Sequence, residues 1–388
     1  MSYQQAVWAW NQHLRAGGVT PWREWLRTRP EGGGTDDPHV PAAWVPPGAA
    51  QLEFVRLAAL LGAHDPRFVR LADLATGRSG PGRGLAQQPL WWPPDVPGRR
   101  FGAPPVDPSQ VPAEELVRVG VGALVELLLA VPEPPPRVRR RSRTARWRSG
   151  YVVEGAPVTR SALRRSLAEQ GYAEGGRRPR VLLAVEPFDD LLAQVWSARV
   201  QRGAAVRWHG FVRRWAGRAA LPPAADLPAL ARSWADRVGV DRVHVLVGAD
   251  SSFDPAAAVR PAGRREEGVA GPEPEVRDLS PAAVDVLRRV NAVLSVRVAP
   301  ERQRSVLPGL VDDLARVAPP GPGLTVPPPF QDWARSRAER IADELRSGDY
   351  PVHGSLEGIL PRVAGLRTHP SRQDALAVVL AACLRQVR

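Results

Sequence analysis

The sequence predicts an α/β protein: a mostly helical N-terminal domain, then a parallel sheet flanked by helices. Three observations lead there. Short apolar runs alternate with helical patterns between residues 151 and 247, the arrangement that builds strand–helix–strand units. Residues 1–130 carry helical periodicity broken by long Gly- and Pro-rich joins. Between the two, four prolines from Pro132 to Pro136 precede seven arginines from Arg137 to Arg148, the composition of a linker. The expected division is a helical domain at 1–131, a linker at 132–149, and an α/β domain with a helical C-terminal extension at 150–388.

The elements follow in order. Tyr3 to Leu14 reads as a helix ended by Gly17, Gly18 and Pro21, and Trp22 to Leu26 as a second, short one. Arg27 to Ala49 is a loop by its Gly, Pro and Asp content. Leu52–Leu61 and Arg67–Leu74 have helical periodicity. Ser79 to Pro112 carries many Pro and Gly residues and the pair Trp91–Trp92; two tryptophans in such a stretch predict an ordered wrap over a surface. Pro112 to Ala130 is a helix with Glu114 and Glu115 in a favourable first turn. Tyr151–Val153, Val181–Val185 and Arg242–Val247 are strands. Thr159–Gln170, Phe188–Val200 and Asp226–Val238 are the helices between them. Asp250–Leu279 is a polar excursion. Ser280–Leu294, Pro300–Val317, Phe330–Arg346 and Ser371–Leu384 are helices set apart by proline-rich joins.

Composition removes several chemistries. The chain has 388 residues and no lysine; all 53 of its basic residues are arginine. A Walker-type phosphate loop and Schiff-base catalysis both need a lysine amine. The single cysteine, Cys383, excludes an intramolecular disulfide and a cysteine-based zinc site, and its apolar surroundings read as core. Met1–Trp25 lacks a basic start followed by an apolar run, and Leu116–Val131 is short for a membrane span and carries Arg118 and Glu126. A cytoplasmic protein without membrane insertion is expected. The seven histidines show no ligand spacing, so no metal is expected. His244 reads as a core histidine. His209, beside Trp208, is the candidate general base should there be catalysis.

One junction carries the main functional signal. Tyr151-Val-Val-Glu-Gly-Ala-Pro-Val-Thr-Arg-Ser-Ala-Leu163 runs from a strand into a helix, where free amides and the helix dipole suit a phosphate. It resembles the phosphosulfate-binding loop of the sulfotransferase family, Gly-x-Pro-Lys-Thr-Gly-Thr-Thr. Gly155, Pro157 and Thr159 stand in place and Ser161 substitutes conservatively, but Val158 replaces the lysine and Arg160 the second glycine. Downstream, the strand at 181–185 leads to Glu186 and Gln194, where the family has the arginine and serine that hold the donor's 3′-phosphate. Trp196 matches a tryptophan of actinobacterial members. The similarity covers roughly residues 150–361.

The resemblance implies a P-loop-type parallel sheet and a donor site, 3′-phosphoadenosine 5′-phosphosulfate, that is degenerate. Each lost charge-assisted contact is worth roughly 1.5–3 kcal/mol, and a carboxylate at position 186 repels a phosphate. The expected function is therefore non-catalytic: an interaction or regulatory role, with a protein partner and no cofactor. The first alternative is an active transferase holding an altered anionic donor through Arg160, which predicts an open, positive pocket at Gly155–Ser161. A pocket plugged by Val158 and closed by Glu186 speaks for the non-catalytic reading. Nucleic acid is not the expected partner; the second alternative places it on the arginines at 137–148.

Overall fold

The structure, a computed structural model, describes residues 2–28, 40–62, 67–77, 88–93, 103–132, 150–248, 275–321, 323–362 and 367–387. It is a mixed α/β protein, mostly helical, with one small parallel sheet of four strands flanked by helices. The expected linker arginines at 137–148 and two of the seven histidines, His39 and His64, lie outside the described residues.

The chain divides into two compact units, and not at the expected sequential cut. Residues 285–318 and 371–388 pack with 1–133, while 134–284 and 319–370 form the second unit. The division falls inside the helix Pro281–Arg297. The C-terminal helices read as an extension of the α/β domain are thus largely part of the N-terminal unit, because their apolar faces complete its core.

The first unit contains α1 (Tyr3–Arg15), α2 (Trp22–Arg27), α3 (Ala49–Gly62), α4 (Arg67–Thr76) and α5 (Ala113–Ala130). Ser2 caps α1, with Gln5 reaching back to its amide. Trp10, Trp22 and Trp25 form a buried cluster, with ring centroids 5.1 and 5.6 Å apart. The Trp22 indole donates to the Trp91 carbonyl at 2.7 Å, which anchors the proline-rich stretch on this cluster. Two parts of that stretch bridge each other at Leu90 and Val106, so the described portion is ordered as expected. Gly120 of α5 lets two helices come close. A Cβ there would meet Phe54 of α3 at 2.7 Å and Val379 of the helix Arg372–Gln386 at 2.9 Å.

The second unit holds the sheet. Strands β1 (Tyr151–Gly155), β2 (Arg180–Val185), β3 (Val243–Val247) and β4 (Val352–His353) lie in the order β1-β2-β3-β4, all parallel. Central β2 and β3 are apolar almost throughout and buried, as both faces demand; edge β1 alternates buried and half-buried residues. Tyr151, Val153, Leu182 and Leu246 pack with Leu167 of α6 (Pro157–Glu169). The order is sequential, so the described sheet has no reversal and no switch-point crevice of the kind where open α/β sheets bind nucleotides.

Helix α7 (Phe188–Gln201) packs against α6. Next comes α8 (Trp208–Ala216), a helix the periodicity reading did not assign, and then α9 (Leu227–Val238). Trp208, Phe211, Val212 and Trp215 recur at helical spacing and bury one face of α8. The Trp196 indole donates to the Val206 carbonyl at 2.8 Å and holds the α7–α8 turn.

Candidate functional site

The junction singled out in the sequence is formed as expected. β1 ends at Gly155, whose φ of +93° and closeness to β2 admit only glycine: a Cβ would lie 2.1 Å from the Ala184 carbonyl oxygen. The Ala156 amide donates to that same oxygen at 3.0 Å. Pro157 then opens α6 at a position where a missing N–H costs nothing. The next two amides are those that would face a phosphate.

Those amides already have an acceptor. Oε1 of Gln194, from the middle of α7, accepts from the Val158 amide at 2.9 Å and from the Thr159 amide at 3.3 Å. Oε1 of Glu186 accepts from the Thr159 hydroxyl at 2.7 Å. Ser161, buried, donates to the Pro157 carbonyl at 3.0 Å and accepts from the Val276 amide at 3.1 Å. The Arg160 guanidinium faces back to Glu154 of β1 at 3.6 Å. The structure therefore brings together the predicted residues at 155–161, 186 and 194, but Gln194, rather than Val158, fills the acceptor position. Its amide oxygen provides a partial negative charge where a phosphate oxygen would sit, and no net charge.

Two carboxylates beside this junction escaped the sequence reading. Asp189 and Asp190 begin α7, where acids near a helix N-terminus are ordinary. The fold makes them otherwise. Asp189 is fully buried, and burial pushes its carboxyl above the usual range against the backbone amides that hold it, including that of Arg362 at 3.4 Å. Burial, Asp189 and Glu186 push Asp190 up to about 6, although its ion pair with Arg362 opposes the rise. Only a Glu-Pro-Phe-Asp-Asp run was visible in the sequence, and it reads equally well as a capped helix start.

The histidines separate. His209 is exposed and meets the Phe330 ring edge-on with centroids 5.4 Å apart. Its ring contact is with Phe330, and no described carboxylate is hydrogen-bonded to it. His244, read as a core histidine, is buried on β3 and pairs with His353 of β4, Nδ1 to Nε2 at 3.1 Å. Burial lowers both, and His353 and Arg180 lower His244 further against Asp241. This pairing was not legible, because β4 is two residues long. Cys383 is fully buried near the Gly120 carbonyl, and burial pushes its thiol far up, away from nucleophilic use.

No group of three His, Cys, Asp or Glu side chains among the described residues is arranged to hold a metal ion. No described helix is long and apolar enough to cross a membrane. Comparisons with protein-family models, with curated proteins and with solved structures find no match to this chain.

Proposed function

We propose that this is a non-catalytic protein with an interaction or regulatory role, built on a degenerate nucleotide-binding scaffold of the sulfotransferase type. The observation that carries this reading is the side chain of Gln194 on the first free amides of α6, with Glu186 on Thr159 beside it. A donor phosphate would have to displace a neutral internal acceptor and then sit beside a carboxylate. Both costs oppose binding, and no lysine is present to offset them. Arg160, the residue on which an altered-donor transferase would depend, is paired with Glu154.

Calorimetric and thermal-shift titration with 3′-phosphoadenosine 5′-phosphate and its sulfated form tests the reading. The wild-type chain is expected to show no shift. The Val158→Lys, Glu186→Arg, Gln194→Ser variant, which restores the family's charges and small serine, is expected to gain a rise in Tm with ligand. Micromolar binding by the wild type, or turnover of the sulfated donor, would overturn the non-catalytic reading. Failure of both chains to bind would overturn the scaffold assignment.

A further inference from the structure

Several described arginines elsewhere are matched by acids. Arg56 pairs with Glu53, Arg164 with Glu174, Arg232 with Glu344 and Arg289 with both Glu114 and Asp285. One stretch has no acid of its own. Between residues 191 and 225 there are six arginines and no Asp or Glu, a formal +6 out of the chain's +13. Arg199, Arg207, Arg213, Arg214 and Arg218 are all exposed, and none forms an ion pair with a described residue.

The fold gathers them. The buried face of α8 turns Arg213 and Arg214 outward. Arg207, which precedes the helix, and Arg214 lie seven residues apart on one stripe, about 10 Å along the axis. Arg199, from the end of α7, and Arg218, beyond α8, both lie over the Trp215 ring, 6.0 and 5.4 Å from its centroid. Stacking on one ring brings the charges of two helices to one place and leaves guanidinium N–H edges for another acceptor.

We infer that this arginine stripe binds the phosphate backbone of a nucleic-acid duplex without reading its sequence. Surrounding chemistry selects that partner. No large hydrophobic residue is exposed between 191 and 225, so the stripe lacks the apolar anchors that a membrane surface or a protein hot spot uses. Trp208, Phe211 and Trp215 are buried, so no stacking platform for single-stranded bases is presented. What remains is exposed positive charge, the kind of group that contacts phosphates and carries no sequence information by itself. This surface does not depend on the α6 junction, so it can fail while the non-catalytic reading stands.

Fluorescence anisotropy of a short labelled duplex of random sequence, with the full chain, tests it. Binding is expected in the range of about 10⁻⁴–10⁻⁶ M at physiological salt, falling steeply as salt rises. The Arg207→Gln, Arg213→Gln, Arg214→Gln variant should keep its Tm, weaken binding at least about tenfold and lower the log–log salt slope by about 2–3. A control with the same charge loss at paired arginines, Arg304→Gln, Arg316→Gln, Arg346→Gln, should bind like wild type. Absence of wild-type binding would overturn the proposal. So would equal losses in stripe and control variants, or binding that survives in the stripe variant and vanishes only when the arginines at 137–148 become glutamine. Binding to vesicles of anionic phospholipid without binding to duplex would assign the stripe to a membrane surface and overturn it as well.

Discussion

The first turn of α6 and the exposed stripe of α7 and α8 treat charge in opposite ways. At α6, the helix-start amides that could face an anion are satisfied internally by Gln194, with Glu186 on Thr159 and Asp189 and Asp190 following. On the stripe, with no loop architecture for a ligand, five arginines have no described acid beside them. The first amides of α6 are taken by the protein's own side chain. The positive surface that local backbone does not advertise has been left open. The lesson is that net charge and helix geometry say little about where an anion binds until each polar group's partner is known.

The largest expected effect tests whether the α6 junction is rigid. Gly155→Ala would force a Cβ onto the Ala184 carbonyl at a φ suited to glycine, and should cost about 4 kcal/mol or more, read as a fall in Tm or outright loss of folded protein. A tolerated alanine would show that β1 and β2 can separate there and that the cradle is not fixed.

The crowding of acids beside the junction gives the next effect. The Asp190 carboxyl is raised from 3.8 to about 6, so the stability it confers when protonated is full below 3.8 and is lost as pH rises through about 6. Asp190→Asn should flatten the Tm-against-pH profile over that interval, removing a slope on the order of 3 kcal/mol. An unchanged profile would mean that Arg362 holds the carboxylate ionised throughout, and that the contrast in charge handling is weaker than drawn.

The smallest effect is the most direct on closure. Gln194→Ala leaves the Val158 and Thr159 amides without their acceptor and should cost roughly 2 kcal/mol. Added sulfate or phosphate should then raise the variant's Tm more than the wild type's, because the anion now occupies the vacated position. Equal responses would show that Glu186 alone excludes anions.

Much of the fold was legible. β2 was found because its continuous apolar run fits a buried parallel strand, β3 because its apolar run is broken only by His244, and α6, α7 and α9 because proline and glycine punctuate them. Helix α8 was missed. Its stretch stood out only through His209 beside Trp208, and its nine residues are few for a periodic signal. β4 was missed because two residues carry no period at all, and with it went the partner of His244. At the candidate site, the residues were found and their relations were not. Gln194 read as a lost serine, whereas it is the acceptor for two amides thirty-five residues or more away. Arg160 read as a possible substitute for lysine, whereas it faces Glu154. The linker arginines drew attention as a run, while Arg199 and Arg218 stand nineteen residues apart and meet only over Trp215.

By itself the sequence determined most of the helices and the central strands, the strand-to-helix turn at Gly155, and the absence of lysine and intramolecular disulfide chemistry. These depend on neighbours a few residues apart or on composition alone. Tertiary structure decided that the C-terminal helices complete the N-terminal unit, that an amide side chain accepts from the first amides of α6, and that Arg199 and Arg218 meet over Trp215. Hydrogen-bond acceptors and counter-charges are chosen by proximity in space within a few ångströms, and chain folding sets that proximity independently of separation along the sequence.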